Sequence, residues 1–236
     1  MIRCVLLALL LVLLAASPVA ARHKPVSWSE QFTGGLGAFT PFAHTFGNGQ
    51  SVDAAHVSVV NGVLRIQTDF PPQTGGMVTT TRTFQSGLFE ARIRYQAGNG
   101  LSPAFWLQRP FGAAEPWDEI DFMEAWPNTV GEPTPSQFFT TVHTYPGGTH
   151  SYRQLTVDAG TSLAGAWHTF GARVTPGQRV DVYLDGVLEG SITQGVPARQ
   201  DFIIVLSHIV GNWSAQPDAT TPDPAVMEVD WVRWSP

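Results

Sequence analysis

The sequence predicts an all-β protein, a sandwich of two packed antiparallel sheets. Three observations carry that expectation. Short apolar runs alternate with polar residues at strand spacing, tight turn signals join neighbouring runs, and no amphipathic helix of useful length appears. Composition agrees: 23 Gly and 18 Pro in 236 residues, with only 14% charged, suit many strands joined by turns.

The first 21 residues read as a leader rather than as structure. Arg3 supplies a positive start, 5–14 is an apolar run, and Val19-Ala20-Ala21 offers small residues for cleavage before Arg22. The run is short for a bilayer span, so export is expected, with no membrane attachment once the leader is removed. Residues 22–236 would then form one domain. Cys4 is the single cysteine and leaves with the leader, so the mature chain has no disulfide.

The elements follow in order. Residues 28–32 read as a first strand and 34–49 as a loop rich in Gly and aromatics. Asn61-Gly62 joins 56–60 to 63–67, and Asp185-Gly186 joins 180–184 to 187–189, each the signature of a two-residue hairpin turn. Between them 76–81, 87–95, 104–108, 119–125, 138–144 and 167–174 are short and β-prone. Residues 202–209 form a continuous apolar run, and 227–234 close the chain as a strand. In 87–95, Phe89, Ala91, Ile93 and Tyr95 alternate with Glu90, Arg92 and Arg94, one side for the core and one polar. If the polar side lines a binding cleft, Arg92 contacts the ligand there.

The chemistry concentrates in one stretch, Trp117-Asp118-Glu119-Ile120-Asp121-Phe122-Met123-Glu124-Ala125-Trp126. Strand alternation puts Glu119 and Asp121 on one face with Ile120 and Phe122 on the other. Glu124 is out of phase. A β-bulge near Phe122–Met123, one extra residue in the strand, would turn it back toward the other two acids. Three converging carboxylates flanked by indoles are the equipment for cleaving a glycosidic bond, because close like charges cannot both ionise and so divide into an acid and a base. Other readings of the same acids are a solvated strand edge or a divalent-metal site. Asp118 faces away from Glu119 and reads as structural.

Net charge is −6 and no Lys/Arg run occurs, which argues against nucleic acid or an anionic polysaccharide and leaves a neutral glycan as the expected partner. No HExxH motif or His/Cys cluster calls for a catalytic metal.

The run E-I-D-F-M-E resembles the E-x-D-x-x-E signature of glycoside hydrolase family 16. Gly75-Gly76, 87–93, 104–107, Val142-His143, Trp167-His168, 183–186 and 229–233 are similar to the same family in the same order. The resemblance implies a concanavalin-like jelly roll with its cleft on the concave face. It makes Glu119 the nucleophile, Asp121 the assisting carboxylate and Glu124 the acid/base of a retaining mechanism. Trp117 matches the cleft floor, Trp106 and Trp213 match further sugar-stacking positions, and His143 matches a residue of the laminarinase-like branch. Glu30, the Gly62 carbonyl and Asp230 match a structural Ca²⁺ site, while catalysis needs no cofactor. One departure touches specificity: Leu206-Ser207-His208-Ile209-Val210-Gly211 lacks the Asn usual on the late cleft strand. The reading is a secreted, monomeric endo-β-glycanase acting on β-1,3- or β-1,3-1,4-glucan. An agarase or other β-galactan hydrolase, a transglycosylase, and a non-catalytic lectin-like module are the alternatives.

Overall fold

A computed structural model describes residues 27–46, 49–114, 117–126, 135–198, 200–211 and 215–236. The leader and Trp213 lie outside the described residues, as does the junction at which 22–236 would begin. Two sheets face each other across a single apolar layer. The first has eight strands: β1 (Trp28–Glu30), β5 (Val57–Val60), β6 (Val63–Thr68), β8 (Gly87–Tyr95), β13 (His168–Thr175), β14 (Arg179–Leu184), β15 (Val187–Ile192) and β17 (Ala225–Ser235). Its order is β15-β14-β13-β8-β17-β6-β5, with β1 also on β17.

The second sheet has nine strands: β2 (Phe39–Pro41), β3 (His44–Thr45), β4 (Ser51–Val52), β7 (Thr74–Thr80), β9 (Leu101–Gln108), β10 (Glu119–Glu124), β11 (Gln137–Thr144), β12 (Ser151–Asp158) and β16 (Ile203–Val210). They run β12-β11-β10-β9-β16-β7-β4-β3, with β2 also on β7. Every pairing is antiparallel except β4 with β7. The jelly-roll sandwich expected from sequence is the fold observed.

Local chemistry explains the elements. Both hairpin turns place their two residues at positive φ, Asn61 at 53° and Gly62 at 76°, Asp185 at 50° and Gly186 at 80°, the conformation that Asn-Gly and Asp-Gly adopt with least strain. Strand 87–95 was expected with the bounds it has. Two short strands, β2 and β3, occupy the stretch read as a loop, β4 follows it, and β12 was not anticipated. The last is an edge strand whose side chains are mostly exposed, so it lacks the apolar alternation that marks a half-buried strand.

The core lies between the sheets. Phe122 packs against Phe89 of the facing sheet at 5.4 Å between ring centres and edge-on against Phe105 at 5.1 Å, offset geometries that aromatic pairs favour. Gly75 sits where β7 approaches β16 so closely that a Cβ would lie 2.1 Å from the His208 carbonyl oxygen. On β8 the apolar residues point inward as expected, but β8 belongs to the first sheet, so its polar side faces away from the second sheet. Arg92 is therefore not a cleft residue. Its guanidinium pairs with Asp230 at 2.6 Å and lies 4.9 Å over the Trp167 ring.

The residues expected to hold calcium fit a cation poorly. Glu30 Oε1 accepts the N–H groups of Gln31 and Phe32, and Oε2 that of Ala38, so this carboxylate clasps the loop that follows its own strand. Asp230 faces a guanidinium. Gly62 serves as a turn residue at positive φ.

Candidate active site

The site is built on β10. Between Asp121 and Met123 the pairing with β9 slips by one residue, and between Asp121 and Glu124 the pairing with β11 slips in the same place. Phe122 and Met123 both turn into the core, each fully buried. Two consecutive inward side chains leave Glu119, Asp121 and Glu124 on the opposite face, where all three line one hollow. The residue types select this bulge: straight alternation would push Met123 into water and a carboxylate into the apolar layer, where burial of an unpaired charge costs several kcal/mol. The Phe122 carbonyl at the bulge accepts a hydrogen bond from the buried Thr140 hydroxyl at 2.8 Å.

The three carboxyls interact strongly. Burial pushes Glu119 well above the usual carboxylate range, and the charge of Asp121 adds to this while His143 opposes it. Burial likewise raises Asp121, reinforced by Glu124. Glu119 and Asp121 share a side-chain hydrogen bond, which two carboxyls can form only when one holds a proton. Like charges this close do not both ionise cheaply, so the pair keeps a proton between its two carboxyls.

Neighbouring strands supply the rest. His143 lies opposite Glu119 on β11, and its Nε2 is 3.1 Å from Asp121 Oδ2, a close contact rather than an aligned hydrogen bond. Its Nδ1 is 2.8 Å from His150 Nε2, and the two rings stack at 5.1 Å. Tyr145 also stacks on His150, at 5.0 Å. Glu124 Oε2 accepts weakly from the Thr141 hydroxyl at 3.4 Å. Glu119, Asp121 and His143 each offer a ligand atom within 4.8 Å of the others, a set that a divalent ion could occupy.

Two hollows flank the carboxylates, and Glu119 and Glu124 line both. One extends over β9, β16 and β7 and includes Trp106, Met77 and Ile209, with Phe42 and Phe111. The other extends over β11 and β12 and includes Thr141, His143, His150, Tyr152 and Gln154. Trp106 thus faces the cleft, its indole N–H donating to Ser207 at 3.1 Å. Trp117 is 60% exposed and lines a third hollow with Glu119 and Tyr145. Asp118 is buried away from this face, accepting from the Tyr145 N–H and the Gln200 amide.

Sequence reasoning gave no site role to His150, Tyr145 and Tyr152, which precede or lie on the unanticipated β12. It also passed over Phe42 and Phe111, two loop aromatics with no periodic pattern to mark them. Thr140 was inside an expected strand, yet only its partner at the bulge gives it significance.

A sandwich carrying grouped carboxylates in an aromatic-lined groove on one sheet defines a carbohydrate-active class of protein. Residues 47–233 match the model of glycosyl hydrolases family 16, and the chain belongs to that family; it is a glycoside hydrolase. A β-glucanase of Bacillus subtilis (strain 168) is 24% identical over 234 residues, 94% of this chain and 92% of that protein. The endo-β-1,3-glucanase of Pyrococcus furiosus superposes with a TM-score of 0.71 at 28% identity, covering 89% of this chain and 94% of the other. A Bacteroides ovatus family 16 protein, in complex with a mixed-linkage glucan product, superposes with a TM-score of 0.77 at 22% identity, covering 88% of this chain and 99% of the other. Among the described residues no helix is long and apolar enough to cross a membrane.

Proposed function

We propose that the chain is a retaining endo-β-glucanase acting on β-1,3- or β-1,3-1,4-linked glucan. The observation that carries the reading is the bulge, which sets Glu119, Asp121 and Glu124 on one face of an aromatic-lined groove. Glu119 attacks the anomeric carbon while Glu124 gives its proton to the leaving glycosidic oxygen. Glu124 then takes a proton from water, whose oxygen displaces Glu119 and releases the sugar with net retention. Glu119 and Asp121 hold a proton between them, and His143 beside the pair favours the ionised nucleophile. Trp117 and Trp106 offer apolar faces to the C–H faces of the sugar rings, burying area without stranding hydroxyls.

The grooves on both sides of the carboxylates support attack within a chain rather than at its end. The β-glucanase relatives favour glucan over galactan. Export through the leader at 1–21 and a monomeric state belong to the same proposal. The test is incubation with laminarin, lichenan, agarose and carrageenan, with products sized and the anomer first released followed by NMR. Oligosaccharides from laminarin or lichenan released as the β-anomer are expected. Release from agarose alone would overturn the substrate, and release of the α-anomer would overturn the mechanism.

A further inference from the structure

His150 is exposed and stands just before β12, where the β11–β12 hairpin brings it against His143. Two aromatic neighbours give its ring a fixed place: Tyr145 stacks on it at 5.0 Å and Tyr152 at 6.0 Å. The turn that carries it is tied to the residue before the nucleophile, since the Tyr145 N–H donates to Asp118 Oδ1 at 3.3 Å.

The His150 Nε2 lies 2.8 Å from His143 Nδ1, with the ring planes within 13° of parallel. Two imidazoles at that distance share one proton, the N–H of one donating to the lone pair of the other. Which ring donates is decided at the far side of His143. There Nε2 is 3.1 Å from Asp121 Oδ2, a buried oxygen that accepts no hydrogen bond among the described residues. Lone pairs facing each other so closely repel, so one of these two atoms carries a proton. The carboxyl pair keeps its own proton between Glu119 and Asp121 and is anionic as a whole, so the N–H belongs to His143 Nε2. A neutral imidazole has a single N–H. His143 Nδ1 is then a bare acceptor, and His150 Nε2 is its donor.

We propose that His150 is a positioning residue for glycoside cleavage: its Nε2–H fixes the tautomer of His143, so that an N–H rather than a lone pair faces the Glu119–Asp121 pair. This rests on the glycosidase reading of the carboxylates and adds a residue that sets their electrostatics. An N–H at that point favours the anionic nucleophile, whereas a lone pair would repel it. A glycan lying in the hollow that His143 and His150 share displaces water from it. A built-in donor therefore counts for more there than in the open cleft.

The test compares His150→Phe, which keeps a ring against Tyr145 and Tyr152 but has no N–H, with His150→Gln, whose amide N–H can reach the same Nδ1. The position is exposed, so both variants should fold, and thermal unfolding checks this. One such hydrogen bond is worth roughly two- to twelvefold. On laminarin or lichenan, kcat should fall at least about threefold in His150→Phe with KM little changed, and His150→Gln should restore it. Nitrogen-15 NMR of histidine-labelled protein at about pH 8 reads the tautomer without turnover. His143 should carry its proton on Nε2 in the unmodified protein and in His150→Gln, and should divide it between both nitrogens in His150→Phe. A bare Nε2 in the unmodified protein overturns the proposal, as does a smaller fall in kcat for His150→Phe or an equal loss in both variants. Absence of hydrolysis with Nε2 protonated counts against the glycosidase reading alone. Hydrolysis with Nε2 bare counts against this inference alone.

Discussion

Thr140→Val tests the idea that the bulge in β10 is held by a specific donor. The substitution is nearly isosteric and the side chain is fully buried, so packing changes little. What is lost is the hydroxyl that donates to the Phe122 carbonyl at 2.8 Å. A buried carbonyl deprived of its donor costs about 1–3 kcal/mol. For a domain of this size each kcal/mol lowers Tm by about 2–4 °C, so a fall of about 2–12 °C is expected in scanning calorimetry. Because Glu124 follows the bulge by one residue, kcat should fall as well, with KM for the glycan less affected. A variant with unchanged Tm and unchanged kcat would refute the claim that this hydrogen bond holds the bulge. Loss of stability with kcat intact would separate the fold from the positioning of Glu124.

Three further outcomes follow from the same geometry. Glu119→Gln should lower turnover by about 10³-fold or more yet raise stability at neutral pH. The raised pKa of Glu119 means the folded chain holds a proton that the unfolded chain releases, so the native protein loses stability as pH rises through that range. The gain should be visible in urea melts at pH 7 and absent near pH 4, and a uniform change at both values would contradict the burial argument. His208, fully buried with its Nδ1 3.3 Å from the Ile66 carbonyl oxygen, is pushed by burial from 6.5 down to about 4. Below pH 6.5 the unfolded chain therefore takes up a proton that the folded chain refuses, and stability falls between 6.5 and about 4. Relative to His208→Gln, the unmodified protein should lose about 2 kcal/mol more between pH 7 and pH 5, read from chemical denaturation at each pH. Chelation with EDTA should leave glucan hydrolysis unchanged; abolition reversed by a divalent ion would instead make Glu119, Asp121 and His143 a metal site.

The sheets were legible because one face of most strands is buried, so apolar alternation betrays them. Glu119, Asp121 and Glu124 were legible for the converse reason: an acid out of phase in an apolar strand demands either a bulge or a buried charge. Arg92 misled because alternation tells which residues share a face but not which sheet a strand joins. That is decided by pairing with β13 and β17, far away in sequence. Glu30 and Asp230 have the chemistry of cation ligands, and only three-dimensional neighbours reveal that backbone N–H groups and a guanidinium engage them. His150 reads from sequence as a surface or packing residue because its importance comes from its contact with His143 across a hairpin, a relation that spacing does not encode.

The slipped register of β10 makes chain length, rather than side-chain identity, the variable that governs where the last acid points. Removing Met123 would yield E-I-D-F-E, in which simple alternation already keeps every carboxylate on the outer surface. Kinked and straight versions of this strand are therefore a single codon apart. A lineage can pass from one to the other without any intermediate that hides its last carboxylate.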